Sequence, residues 1–522
     1  MSSAAIASRA SALRAWLVPS RAVPVVFAIA VAVLQASAIE RYGYFRDELY
    51  YLACTQHLAF GYVDHPPFSI AVLAVVRDLL GASLPALRLV PLLANVATLL
   101  LTGALVRRMG GRVFASVLAC SAQALAPVFL AFGHVYSMNS LDAVFWAAGA
   151  WLLLDALEAP TDRRWILLGV VLGLGLENKA SVLWLGAGVA VALVTLRRDL
   201  LRTRGPWLAA LVAAVLAAPN VLWEIHEGWP TLEFARNAMA GKYKEHSVAG
   251  FFAGVADTMS PASLPIFAAG AIAPFFVRAM RPWRPIACIA IVTTAVLSVS
   301  RSAKAEYLAA AFPLGFAPGA VVVEAWLSGR PWIRVARWAL VATVVARGAV
   351  AVPFVVPVLP VDRFLAYQAA LGATPSSTEK KEMGPLPQLY ADMFGWRELA
   401  GAVAVAAETL TPEERAHAGV LSRTGYGAAA AIELFGPALG LPHGISGHNS
   451  FYTWGPRDAD GRAMIVLGGD RAWVEEHFAS VAEGARFDCR LCMPYEAHKT
   501  IWVARGLKEP MAAFWEDRRH FE

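Results

Sequence analysis

A polar cluster stands between the first two hydrophobic stretches of this chain. It reads Arg46-Asp47-Glu48-Leu49-Tyr50-Tyr51 and then Asp64-His65-Pro66-Pro67. Adjacent carboxylates next to lipid are costly, and ionisable residues kept there point first to function. A carboxylate within reach of a substrate hydroxyl can act as a general base, worth about 10²–10⁴-fold in rate. Asp47 is the candidate for that role. It also suits the N-cap of a helix beginning at Glu48, and the two roles are compatible. Glu48 could orient Asp47 or bind a substrate hydroxyl, or simply favour the dipole of a first helical turn. Asp64 is the candidate second carboxylate, for substrate or metal. His65 could share that work or serve as a turn residue before Pro66. Asp47, Asp64 and His65 offer oxygen and imidazole ligands for a divalent ion, although their spacing does not require one.

A second set of residues carries positive charge in apolar surroundings: Lys179, Arg301 and Lys304, with Tyr307 next in line. Preorganised cations of this kind accommodate a departing oxyanion such as a phosphate. Long basic side chains at span ends also snorkel to lipid headgroups without further purpose. Asp142 opens an apolar stretch, where a carboxylate at a helix N-terminus is comfortable on electrostatic grounds alone. A long segment, 223–260, contributes Trp223, His226, Trp229, Lys242, Tyr243 and Lys244. These could cover a bound substrate or form an interfacial aromatic belt.

The elements that must position these residues follow from composition. Of 522 residues, 58% are hydrophobic and only 16% charged, against about 25% charged in a soluble domain. The chain is therefore expected to be a multi-spanning helical membrane protein. Eleven apolar stretches are predicted as spans, near 22–39, 86–106, 113–132, 142–157, 165–177, 180–196, 207–222, 262–277, 285–300, 306–326 and 338–358. With Arg9, Arg14 and Arg21 placed in the cytoplasm, every second connection is arginine-rich, from Arg107/Arg108/Arg112 to Arg330/Arg334/Arg337, which is the positive-inside pattern. An odd number of crossings then puts the end of the chain outside. It also puts Asp47, Asp64, Asp142, Lys179, Arg301 and Lys304 on that outer face. Residues 22–38 could instead be a cleaved signal peptide ending in Ala36-Ser37-Ala38. Segments 47–60 and 67–81, too short or polar to span, suit amphipathic helices lying on the outer leaflet. The net charge of +6 sits mostly in the connections and does not imply nucleic acid.

From about residue 361 the composition becomes that of a water-soluble domain. The chain thus divides into a membrane body, 1–360, with its acidic first outer loop at 40–85, and a tail, 361–522. In the tail, short apolar runs at Ala418–Ser422, Met464–Leu467 and Ile501–Ala504 alternate with helical patterns at Trp396–Glu408 and Arg471–Glu483. Gly484 is a natural stop for the second helix. This alternation predicts a small α/β layer domain. Thr411-Pro412-Glu413-Glu414 is a helix start, and the Ser446–Pro456 loop could stack a sugar ring or be merely structural. Cys489 and Cys492 cannot complete a zinc site alone; they read as a disulfide, with a redox pair as the alternative. Cys54, Cys120 and Cys288 read as small core residues.

Taken in order, several segments resemble glycosyltransferase family 39, the polyprenyl-phosphate-sugar-using membrane glycosyltransferases that include protein O-mannosyltransferases and aminoarabinose transferases. They are Asp47–Tyr51, Asp64–Pro67, Tyr136–Asp142, Glu177-Asn178-Lys179 and Lys304–Leu308, then Phe394-Gly395-Trp396, Thr424–Gly427, Ser446–Ser450 and Cys492–Glu496 in the tail. The likeness covers nearly the whole chain. It implies the GT-C fold and an inverting hexosyl- or pentosyltransferase in the inner (plasma) membrane. Such an enzyme moves a sugar from a polyprenyl phosphate to an acceptor hydroxyl on lipid, glycan or protein at the outer face. The resemblance implies catalysis by Asp47, Glu48 and Asp64, and substrate binding by His65, Asp142, Lys179, Arg301, Lys304 and Tyr307. A lipid A-type enzyme would show Glu or Lys before the paired prolines; Asp64-His65 stands there, so the acceptor does not carry over. The tail is expected to help recognise the acceptor. The rival reading is a transporter or lipid flippase, which would place ionisable residues near the midplane of broken helices and show repeated halves. No repeat is visible, and here the charges gather at one face.

Overall fold

A computed structural model describes residues 19–328, 331–377 and 379–522; Arg9, Arg14 and Arg330 of the topology argument lie outside them. A helix stands at each of the eleven apolar stretches. Among the described residues, six helices are long and apolar enough to cross a membrane. They become seven if Val248–Met259 and Leu264–Phe276, bent by 112°, form one span. The predicted eleven crossings exceed that number, and local chemistry accounts for part of the difference. Pro127 lacks an N–H and pushes Ala126 into extended backbone, so stretch 113–132 breaks into helices Val113–Ala124 and Pro127–Phe132. Lys179 is likewise extended, which ends helix Asp162–Asn178 before Val182–Leu196 begins. The protein is a multi-pass membrane protein.

Two compact units divide the chain. The first comprises residues up to Ile39, Arg88–Ala218 and Glu245–Val358. It is a helical bundle whose buried centre includes Phe129, Trp146, Trp165, Leu185, Ile289, Phe312 and Phe316. Small residues set its closest crossings. A Cβ on Gly169 would fall 2.5 Å from the Ala209 carbonyl oxygen, and one on Gly173 2.7 Å from Leu216 Cβ. The Gly169-x-x-x-Gly173 spacing is therefore a helix-packing seam.

The second unit joins Glu40–Leu87 and Pro219–Lys244 to Leu359–Glu522. The sequence separates body from tail near residue 360, yet by contact the acidic first loop packs with the tail. Helix Arg46–Cys54 is buried from Glu48 onward, so it is a core helix of this unit and does not lie on a leaflet. Helix Phe68–Leu80 buries Ile70, Leu73 and Ala74 while leaving Val75, Leu79 and Leu80 exposed, so it carries apolar residues on its exposed side as well.

The tail carries five strands, β1 (Gly419–Ser422), β2 (Gly444–Ser446), β3 (Ala463–Leu467), β4 (Phe478–Asp488) and β5 (His498–Leu507), in the order β2-β1-β3-β5-β4. β2, β1 and β3 are parallel, while β5 runs antiparallel to both β3 and β4. The wholly buried β1 and β3 are the apolar runs visible in sequence. Helix Trp396–Ala407 buries Trp396, Leu399, Ala400, Val403 and Ala406, one stripe of helical period. The helix at Pro412 opens with a capping box between Thr411 and Glu414.

The predicted helix Arg471–Glu483 is corrected. It stops at His477, and residues from Phe478 form β4. This strand pairs with β5 at the sheet edge and is mostly solvent-facing, so it lacks the alternation that betrays a strand, and tertiary pairing overrides its Ala- and Glu-rich local preference. Gly484 sits at the register shift between Glu483 and Ala485, where a Cβ would meet Ala406 and Val503 at 2.7 and 2.8 Å. It permits sheet–helix packing and stops no helix.

Candidate active site

In the second unit, the first turn of helix Arg46–Cys54 sorts its acids by task. The Glu48 carboxylate turns back and accepts the Phe45 N–H at 2.9 Å. This fully buried group starts the helix. Asp47 points the other way, with 34% of its side chain exposed. Its Oδ1 accepts the Tyr426 hydroxyl at 2.7 Å and Arg46 Nε at 3.3 Å. Both contacts fall on Oδ1. Arg46 also donates to the Tyr495 hydroxyl at 2.7 Å, lies 3.6 Å from Asp392 Oδ2, and stacks over the Tyr426 ring. Gly427 makes room for it, since a Cβ there would lie 2.6 Å from Arg46 Cγ.

Asp64 is held in a parallel manner. Its Oδ1 accepts the Tyr50 hydroxyl at 2.7 Å, and that hydroxyl lies 2.8 Å from Ser450 Oγ. The rings of Tyr50 and Tyr426 pack with centroids 4.6 Å apart, so two touching tyrosines hold one carboxylate each. Burial pushes the Asp64 carboxyl upward, with the nearby Asp47 charge adding to the rise, and burial pushes the Tyr50 and Tyr426 hydroxyls well up. Asp392 is buried against Arg46, and burial raises it to about 6 against the pull of that guanidinium.

His65 is a core histidine. It stacks on Tyr51 at 4.6 Å, neighbours Tyr62 at 5.0 Å, and turns Nδ1 to the Pro66 carbonyl at 3.1 Å. Its Nε2 stands 3.9 Å from Asp64 Oδ1, too far for a hydrogen bond. Asp47, Asp64 and His65 do not gather as a ligand set: among the described residues no group of three or more His, Cys, Asp or Glu is placed to hold a metal ion.

Asp142 and Lys179 meet in the first unit. Ser137 caps helix Met138–Glu158, and Asn139 and Asp142, three residues apart, share one face near its start. Lys179, just past its own helix, donates to Asn139 Oδ1 at 2.6 Å and lies 3.5 Å from Asp142 Oδ2. Ser181 donates its hydroxyl to both Asp142 oxygens, at 2.8 and 2.7 Å. The ammonium also sits 5.1 Å over the Tyr307 ring. Asp142 and Lys179 thus come together as a buried, charge-compensated pair, with the half-buried Tyr307 against the ammonium. Lys304 lies 3.8 Å from Glu306. Arg301 is exposed, its carbonyl accepting the His246 N–H.

Segment 223–260 is shared between the units. Trp223 packs on Gly61, Lys244 donates to the Ser377 carbonyl at 2.9 Å, and Tyr243 bridges Glu379. Lys242 lines a cavity of about 50 Å³ with Arg46, Tyr426, His448 and Tyr495. His226 is exposed beside Glu227, and Trp229 is half exposed. Cys489 and Cys492 are joined in a disulfide.

Several functional neighbours escape a reading from sequence. Arg46 and Tyr426 sit inside recognisable motifs, but only folding makes them partners of Asp47. Ser450 likewise ends a recognisable segment, whereas Asp392 carries no local signal at all.

Residues 64–223, which include Asp64, Asp142 and Lys179, match the family model described as dolichyl-phosphate-mannose-protein mannosyltransferase. A lipid A galacturonosyltransferase, RgtD of Rhizobium johnstonii, is 29% identical over 204 residues. That match takes in 37% of this chain and only 41% of the relative's length. Two solved structures of ArnT from Cupriavidus metallidurans share the fold. The one bound to undecaprenyl phosphate superposes with a TM-score of 0.61 at 14% identity, over 92% of this chain and 97% of the other. The apo form gives 0.57 at 16% identity, over 94% and 98%. The family likeness read from the sequence therefore stands: the chain has the GT-C fold of these membrane glycosyltransferases, and residues 64–223 carry the sequence pattern of the mannosyltransferase family.

Proposed function

We propose that the chain is a membrane glycosyltransferase that moves a sugar from a polyprenyl-phosphate carrier to an acceptor hydroxyl, inverting the anomeric carbon. The observation that carries this reading is Asp47, a reachable carboxylate whose Oδ1 is fixed by Tyr426 and Arg46. Asp47 takes the acceptor proton as oxygen bonds to the anomeric carbon and the bond to phosphate breaks. The departing polyprenyl phosphate needs positive charge and no proton. Lys179, Arg301 and Lys304 are the candidates to supply it, with Tyr307 against the phosphate or sugar. Asp64, half-buried beside Tyr50, is a second carboxylate for binding the acceptor. The structure of ArnT bound to undecaprenyl phosphate supports the donor class, and the lipid A enzyme among the relatives supports a lipid-linked acceptor. The site is assigned to the outer face of the cytoplasmic membrane, with the tail on the same side. The fold gives the transporter reading no support.

The test is to purify the protein with native lipids and identify co-purifying prenyl-linked saccharides by mass spectrometry. Transfer from that saccharide should stop in Asp47→Asn while the variant still folds and binds it. Turnover supported by a soluble nucleotide sugar alone would reject the donor.

A further inference from the structure

We infer that the tail is a working part of the catalytic site, with Tyr426 and Asp392 as positioning residues for Asp47. This rests on the reading of Asp47 as the base and adds to it a task for the tail other than acceptor recognition. Two independent contacts reach the base from the tail. Tyr426, at the start of helix Tyr426–Phe435, donates its hydroxyl directly to Asp47 Oδ1 at 2.7 Å. Asp392 acts at one remove. Its carboxylate lies 3.6 Å from Arg46, its carbonyl accepts the Arg46 N–H at 2.9 Å, and Arg46 in turn donates to Asp47. A negative–positive–negative chain therefore runs from a buried tail carboxylate to the exposed one.

The loop that carries Asp392 is itself held on two sides. The Asp392 carbonyl also accepts Trp396 Nε1–H at 2.8 Å. Gly395, at φ +84°, lies against the Cys489–Cys492 disulfide so closely that a Cβ would stand 2.4 Å from Cys492 Sγ. Any L side chain there would be strained and would collide with the bridge. A site group is precise only when its supporting contacts are themselves fixed, and apart from Arg46, itself held by Asp392 and Tyr495, the contact on Asp47 comes from the tail. These contacts end on Asp47 and Arg46, so their loss is expected in the chemical step, with substrate affinity little changed.

The full-length protein and the prenyl-linked saccharide recovered with it supply the assay. Tyr426→Phe keeps the packed ring and removes one hydroxyl; Asp392→Asn keeps the shape and removes the charge. Each is expected to lower kcat by about ten- to a hundredfold, the worth of a hydrogen bond to a charged group, with KM within about twofold. Thermal melting of Tyr426→Phe should stay near that of the parent, so the assay reads positioning even if Asp392→Asn folds poorly. An unchanged kcat in Tyr426→Phe would overturn the inference. So would a raised KM at constant kcat, which would return the tail to recognition. Full turnover in Asp47→Asn would instead remove the base assignment, and this inference with it.

Discussion

Asp47 and Asp142 both lie near the N-terminus of a helix, one in each unit, and their settings differ in kind. Asp47 keeps a third of its side chain in solvent and is held through one oxygen by a hydroxyl and a guanidinium. Asp142 is 3% exposed and spends both oxygens on Ser181, with Lys179 beside it. A base must exchange a proton with substrate, so it needs an oxygen in reach. A buried ion pair loses much of its free energy if either charge is left alone. The same residue type near a helix start thus keeps one oxygen within reach in one unit and is wholly paired in the other.

Asp47→Asn tests the first half of this contrast and should show the largest effect. Turnover should fall by about 10²–10⁴-fold, with melting temperature little changed; a fall in stability of the Asp142 kind would erase the distinction. Asp142→Asn tests the second half. It leaves Lys179 buried without its counter-charge and should cost about 3–5 kcal/mol, measured as lost folded yield and a lower melting temperature in detergent. If it folds normally and only turnover drops, Asp142 belongs with the chemistry.

The next effect is graded by pH. Asp392 sits near 6 because burial raises it, whereas an aspartate in an unfolded chain titrates near about 3.9. Between those values the folded chain holds the extra proton. This group alone therefore makes the fold more stable as pH falls from about 6 towards 4. Over the same window Arg46 loses its partner charge, and turnover should decline. Asp392→Asn should flatten that part of a pH–rate profile; an identical profile would separate Asp392 from the base. The smallest effect belongs to Glu48→Gln, which can still accept the Phe45 N–H. Its rate should stay within a few-fold of the parent, while Glu48→Ala loses about 1 kcal/mol of helix capping, read by melting. A collapse of turnover in Glu48→Gln would give Glu48 a chemical role beside Asp47.

Much of the helical scaffold was legible in the sequence, since an apolar stretch of sufficient length declares itself by composition. The helix start at Thr411 was legible too, because it follows a local rule. Strand β4 was not, because an edge strand carries no alternation and Gly484 imitates a helix stop. His65 reads in the sequence as a ligand or a turn residue; only the tyrosines that enclose it make it a core residue.

By itself the sequence determined the class of protein, the family pattern, and the acid-rich turn at residues 46–48, because hydrophobicity, charge and short-range spacing are properties of neighbouring residues. The tertiary structure decided which acid is reachable, which is paired, and that Tyr426 and Asp392, more than 340 positions from Asp47, complete its setting. Hydrogen bonds and ion pairs depend on separations of a few ångströms, and for residues so distant along the chain only folding fixes those separations.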